Sequence, residues 1–184
     1  YHQQYASLAG ETLEHKRRTI AGAARVIAIS ESTKADLVRL LGTDPAKIDV
    51  IPHGVSLQPP PDGPRPPEFP ERYLLFVGER RAYKNFARFA EAVAPLLGGS
   101  GGLQLACTGL GWRDEDRQLF ERLGIARQVR LFQATDATLA QLYRHAELFV
   151  FPSLYEGFGI PVLEAFACGC PAVLSRSSSL PEVG

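Results

Sequence analysis

Leu148–Ser175 reads LFVFPSLYEGFGIPVLEAFACGCPAVLS. An apolar run over 148–153 suits a strand covered on both faces. A loop with two glycines follows at 156–159, and Pro161 fits the first position of a helix over 161–168. A second apolar run at 171–175 then predicts another strand. Strand, loop, helix and strand in this order form a parallel crossover. Upstream the same alternation repeats, with strands predicted at 73–78, 103–109 and 129–132 and helices at 84–97, 113–123 and 136–146. Gly124 should stop the helix at 113–123, and Asp136 should cap the one after it. Five strands separated by four helices imply an α/β fold with a doubly wound parallel sheet. Ligands of such sheets bind beyond the carboxyl ends of the strands.

Before this unit, residues 58–70 (QPPPDGPRPPEFP) hold seven of the chain's 14 prolines. So many prolines exclude a helix interior or a central strand, and the stretch reads as an extended connector. Residues 2–22 look helical. Val26–Ile29 reads as a short strand, Ser30 as the cap of a helix to Leu41, Gly42 as its stop, and Ile48–Ile51 as a second strand. One such unit is too small to bury a core alone. The organisation expected is therefore 1–57, the end of a preceding α/β domain; 58–72, a linker; and 73–184, a ligand-binding domain cut short at its end.

Composition narrows the function. Twenty basic residues balance twenty acidic ones over 184 residues, so no global field favours nucleic acid. No apolar run of about 18 residues marks a membrane span. Cys107, Cys168 and Cys170 lack the spacing of a disulfide or zinc framework and read as reduced, buried thiols of a cytoplasmic protein.

The chemistry concentrates in the same stretch that opens the argument. Glycines in Glu156-Gly157-Phe158-Gly159 let backbone N–H groups approach a ligand. The following helix start adds unpaired donors and the positive end of its dipole. Glu156 and Glu164 flank this seat, and a carboxylate accepts from two hydroxyls at once, as a sugar diol requires. Two decoys are set aside. Asp114-Glu115-Asp116 matches a metal-binding D-x-D pattern but sits where acids suit a helix start. Gly109-Leu110-Gly111 begins a dinucleotide fingerprint, but Asp114 stands where its third glycine belongs. Trp112 reads as a packing residue. His15 and His145 have no partners of catalytic spacing, and for His53 a structural turn role is favoured over ligand contact.

Glu156, Gly157, Phe158, Gly159, Pro161, Glu164, Ala165, Gly169 and Pro171 together resemble the donor-site signature of the family-four retaining glycosyltransferases, which have the GT-B fold. Ile29-Ser30-Glu31-Ser32, Val50–Val55, Phe76-Val77-Gly78 with Lys84-Asn85, and Leu180–Val183 are similar to further parts of that family. The resemblance implies a Rossmann-like carboxyl-terminal domain that binds a nucleoside-diphosphate sugar, preceded by the end of the amino-terminal acceptor domain. It implies a diphosphate held by Lys84 and Arg80, with Arg81 as an alternative, near Gly78. Glu164 would take the ribose hydroxyls and Glu156 the transferred hexose, with the amides of Phe158, Gly159 and Ile160 nearby. No metal and no cofactor are implied. The donor would be GDP-mannose or a UDP-sugar, and the acceptor a glycan or lipid-linked molecule of polysaccharide biosynthesis. Work at the cytoplasmic face of a membrane, through the remaining domain, fits the same picture. Two other functions stay open: an epimerase or hydrolase of nucleotide sugars on the same fold, and a non-catalytic binding module. The chain alone is expected to bind a nucleoside diphosphate weakly and to transfer no sugar.

Overall fold

The computed structural model describes residues 6–184. A first helix, α1 (Ala6–Gly22), leads to β1 (Val26–Ala28), α2 (Glu31–Leu41) and β2 (Ile48–Val50). β1 and β2 pair in parallel as a separate two-stranded sheet. The helix expected at 2–22 is seen from Ala6, and residues 2–5 lie outside the described range. Ser30 caps α2 by accepting from the Thr33 N–H, and Gly42 stops it in the left-handed conformation, both as read from the sequence.

After the proline-rich connector, the chain alternates as β3 (Arg72–Phe76), α3 (Phe86–Leu97), β4 (Leu103–Thr108), α4 (Asp114–Leu123), β5 (Val129–Phe132), α5 (Asp136–His145), β6 (Leu148–Phe151), α6 (Ile160–Ala167) and β7 (Ala172–Leu174). A short helix, α7 (Leu180–Val183), follows. The five strands form one parallel sheet in the order β5-β4-β3-β6-β7. This is the doubly wound α/β arrangement. The order reverses between β3 and β6, so the switch point lies where the loops after those two strands meet.

Alternate residues of β3 serve the two faces. Leu74 and Phe76 pack with Phe86, Phe89, Leu105 and Phe120 on one side. Tyr73 and Leu75 pack with Leu142, Tyr143, Phe149 and Val162 on the other. Burial on both faces explains why these strands read as continuous apolar runs rather than alternating ones.

Several boundaries differ for local reasons. The helix expected from residue 84 begins at Phe86, because Asn85 takes a left-handed conformation (φ 56°) after a 3-10 turn over Ala82–Lys84. Thr135, not Asp136, caps α5, accepting from the Thr138 N–H, and Asp136 is its first residue. Gly124 ends α4 as expected. The strand predicted over 148–153 stops at Phe151, where Pro152 removes a ladder donor. Trp112 packs edge-on against Phe120, as a packing residue should.

Candidate functional site

The loops after β3 and β6 are tied to each other at the switch point. Leu154 donates its N–H to the Tyr83 carbonyl at 2.8 Å, and the Asn85 side-chain amide donates to the Pro152 carbonyl at 3.3 Å. The 3-10 turn between these anchors projects Lys84 towards the β6 loop. There its Nζ donates to Glu156 Oε1 at 2.7 Å, with both side chains about 14% exposed. The ammonium also lies 4.7 Å from the centre of the Phe151 ring. Two residues 72 positions apart, Glu156 singled out as a carboxylate beside the glycine loop and Lys84 by the family resemblance, thus meet at the place where doubly wound sheets take ligands.

Four residues beyond Glu156, α6 begins. Gly159 precedes it with φ 116°, a conformation that L side chains rarely adopt, and a Cβ there would stand 2.9 Å from Leu180 Cδ2. A glycine is therefore required on two counts. The N–H groups of Gly157, Phe158 and Gly159 have no acceptor among the described residues, so the loop presents a row of free donors. Ile160, the last of the three amides expected here, opens the helix.

Glu164 lies one turn into α6 and is partly buried. Burial pushes its carboxyl above the ordinary glutamate range, the hydrogen bond from the Tyr143 hydroxyl at 3.1 Å opposes that, and Asp136 adds to it. Tyr143 is itself fully buried, and burial followed by the Glu164 charge holds its hydroxyl protonated.

Arg80 departs from expectation. Its side chain is only 3% exposed and turns away from Glu156, towards α4. Nε donates to Asp116 Oδ2 at 3.0 Å, and Nη2 donates to the carbonyls of Leu110 and Gly111 at 2.7 and 2.8 Å. The guanidinium also stacks 4.6 Å from the Trp112 ring centre. These partners hold Nε and Nη2, so in this conformation Arg80 braces the loop after β4 and does not face the Lys84–Glu156 pair. Arg81, its alternative, is exposed and donates to Glu79 at 2.7 Å. Asp116, the third acid of the D-x-D pattern, faces inward. Burial opposes its ionisation, but the Arg113 backbone N–H and the Arg80 guanidinium outweigh burial, and its pKa is lowered.

A groove of about 680 Å³ opens beyond the carboxyl ends of β3, β4 and β5, lined by Gly78, Thr108, Gly109, Gln133 and Thr135 among others. The Thr108 hydroxyl accepts the Gly78 N–H at 3.2 Å. Gly109, at φ 121°, lets the two loops touch: a Cβ there would lie 3.0 Å from the Gly78 carbonyl oxygen.

Residues 65–183 match the family described as glycosyl transferases group 1. The chain belongs to that family. Residues 1–59 match a second description, Glycosyltransferase Family 4. Among curated relatives, D-inositol 3-phosphate glycosyltransferase 2 of Catenulispora acidiphila is 34% identical over 188 residues, covering 89% of this chain and 42% of that protein. The O-antigen chain mannosyltransferase B of Escherichia coli is 40% identical over 115 residues, covering 60% of this chain and 30% of that protein. The chain thus spans less than half the length of these relatives. Among solved structures, Anabaena Alr3699/HepE, in complex with UDP and glucose, superposes with a TM-score of 0.73 at 20% identity, over 87% of this chain and 46% of that one. That likeness establishes the shared fold.

Several residues around the candidate site carry no functional signal in the sequence. Gly109 reads in sequence as the end of a strand and as part of a failed dinucleotide fingerprint, whereas its positive φ serves a close approach of loops. Tyr143 carried no signal, because a tyrosine in a helix looks like any core aromatic. His53 was placed in a turn, and its ring meets Phe158 edge-on at 5.5 Å, against the glycine loop. Ser30, Thr33, Ser178 and Ser179 also touch that loop, and of these only Ser30 was given a role, as a helix cap.

Proposed function

We propose that the chain is the donor-binding part of a retaining, metal-independent glycosyltransferase that moves a hexose from a nucleoside-diphosphate sugar to a glycan or lipid-linked acceptor. The observation that carries this reading is the Lys84–Glu156 pair, 2.7 Å apart at the switch point, beside a helix start with free amides. A diphosphate seated there meets one fixed cation and a positive dipole end. Cleavage of the sugar–phosphate bond builds charge on the leaving diphosphate, and these groups lower the barrier where that charge appears. Lys84 therefore holds the diphosphate, and Glu156 accepts from hydroxyls of the transferred sugar. Glu164 accepts from the ribose diol. The groove from Gly78 to Thr135 receives the nucleoside, and Arg80 acts at one remove, by bracing the loops that form its wall.

In the same reading residues 1–57 close an amino-terminal, acceptor-side domain, 58–72 connect it, and 73–184 bind the donor. No described helix is long and apolar enough to cross a membrane. With three buried, free thiols, the cytoplasm or the cytoplasmic face of a membrane is the setting we assign. Mannosyl transfer is the first reaction to try, since the Escherichia coli relative is named a mannosyltransferase.

Calorimetry of the chain with UDP, GDP, UDP-glucose and GDP-mannose tests the reading. Binding of one diphosphate and its sugar is expected. Glu156→Ala should spare the free diphosphate and weaken only the sugar-bearing donor. Equal losses for both ligands would overturn the assigned division of labour, and no binding at all would overturn the site.

A further inference from the structure

The glycine loop is held from behind by hydroxyl groups. Ser179, fully buried, directs its hydroxyl at two carbonyls, 3.0 Å from that of Glu156 and 2.7 Å from that of Phe158. The carbonyl between them, that of Gly157, accepts from Ser30 Oγ at 2.7 Å and Thr33 Oγ1 at 3.0 Å. Ser178 completes the set by accepting the Glu156 N–H at 2.8 Å. Its backbone is left-handed (φ 47°), an unfavourable conformation for a residue with a Cβ, retained where that bond is made.

Every one of these peptide bonds is trans. In a trans peptide the carbonyl and the following N–H point in opposite directions. Fixing the carbonyls of Glu156, Gly157 and Phe158 onto hydroxyls therefore turns each following N–H, those of Gly157, Phe158 and Gly159, away from the hydroxyl that holds its carbonyl. Those are the three amides without a protein acceptor among the described residues. The clamp and the row of free donors are two sides of one arrangement.

Half of the clamp comes from the segment that precedes the proline-rich connector. Ser30 is the cap of α2, and the first turn of that helix is held from the other side. The Glu182 carboxylate on α7 accepts from the Glu31 and Ser32 N–H groups at 2.9 and 3.0 Å. The Ile29 side chain also abuts the loop, 3.4 Å from where a Cβ on Gly157 would stand. The start of α2, the glycine loop and α7 thus form one cross-linked body.

We propose that Ser179 and Ser178, with Ser30 and Thr33 reaching across from α2, are positioning residues that aim the 157–159 amides at the terminal phosphate and sugar of the donor. The inference rests on the donor-site reading above. It adds that the amino-terminal segment helps set donor affinity without touching the donor.

The test compares ligands on the intact chain by calorimetry: UMP, UDP and UDP-glucose, with GMP, GDP and GDP-mannose in parallel. Ser179→Ala should weaken the diphosphate sugar roughly five- to tenfold, the worth of about one hydrogen bond. The monophosphate, held mainly in the groove, should change less than about twofold. Ser30→Ala should show the same split at smaller size, since Thr33 still holds Gly157, and Ser30→Thr should restore affinity. If Ser179→Ala does not fold, the double variant Ser30→Ala, Thr33→Val tests the same point from the α2 side. Equal losses for monophosphate and diphosphate sugar, or no loss for either, would overturn the inference while leaving the donor site standing. Failure of the unaltered chain to bind any of these ligands would overturn both.

Discussion

Arg80 and Lys84 leave the same loop in opposite directions. Arg80 turns towards α4 and pairs with Asp116, both side chains 5% exposed or less, with carbonyls and an indole ring around the guanidinium. Lys84 turns towards β6 and pairs with Glu156, each side chain about 14% exposed, at the start of a loop with free amides. The two pairs differ in what else satisfies them. Asp116 also accepts from the Arg113 N–H on the same oxygen, so the Arg80 pair is held in place by further protein groups. A buried pair of that kind costs most when one partner is removed, because the other charge is left stranded. The Lys84 pair keeps access to solvent and so can exchange partners when a charged ligand arrives. Four residues of separation in sequence thus divide a side chain that braces the loop after β4 from one that, in the proposed reading, meets the ligand.

The largest effect should come from the brace. Arg80→Ala strands Asp116 and should cost about 3–5 kcal/mol of stability, read from urea denaturation. Replacing both partners with apolar residues, as Arg80→Met with Asp116→Leu, should cost less than the single change. An Arg80→Ala chain of near-normal stability that loses diphosphate binding would break the comparison, since Arg80 would then belong to the site.

Lys84→Ala should do the reverse. Stability should change by under about 1 kcal/mol, while UDP or GDP affinity falls roughly ten- to a hundredfold, the worth of one charged hydrogen bond. Glu164→Ala should weaken the same ligands by a similar factor through the ribose. Calorimetry on the folded variants separates these losses from instability.

The two carboxylates should also titrate in opposite directions. Asp116 has a lowered pKa in the folded chain, so its contribution to stability is present above the ordinary aspartate value of about 4 and lost as pH falls through the lower, folded value. Glu164 has a raised pKa, so the folded state holds its proton more tightly. Its contribution to stability is full below the ordinary glutamate value and lost as pH rises through the raised one. Nucleotide binding needs the charged form, so affinity should fall with acid at a higher pH than for an unperturbed glutamate. Glu164→Gln should abolish that dependence. A pH profile of affinity that this substitution leaves unchanged would remove the carboxylate from the site.

The smallest expected effect is none. Transfer by a full-length enzyme that contains this chain should survive excess chelator, because Lys84 and a helix start supply the positive charge. Loss of activity in chelator, restored by Mn²⁺ or Mg²⁺, would return attention to the acids at 114–116.

Much of this was legible in the order of residues. Unbroken apolar runs at 73–76, 105–107 and 148–151 belong to strands covered on both faces, and the glycines and Pro161 punctuate them locally. Ser30, Gly42 and Gly124 act within one turn of themselves, so their roles as cap and stops needed no tertiary knowledge. The charge and spacing of Glu156 and Glu164 likewise mark them without a fold, whereas Lys84 is marked by the family resemblance. The sheet order β5-β4-β3-β6-β7, by contrast, depends on which strands pair, and only that order brings Lys84 to Glu156 across 72 residues. Arg80 and Lys84 look alike in sequence, and their different fates depend on the neighbour each reaches: a buried aspartate on α4 or a glutamate at the open end of β6. Ser179 and Thr33 are ordinary small polar residues until the fold sets their hydroxyls against the loop carbonyls. Short-range rules of helix, strand and turn act along the chain and can be read there. The partners of a side chain are set by long-range packing, and a one-dimensional pattern does not record them.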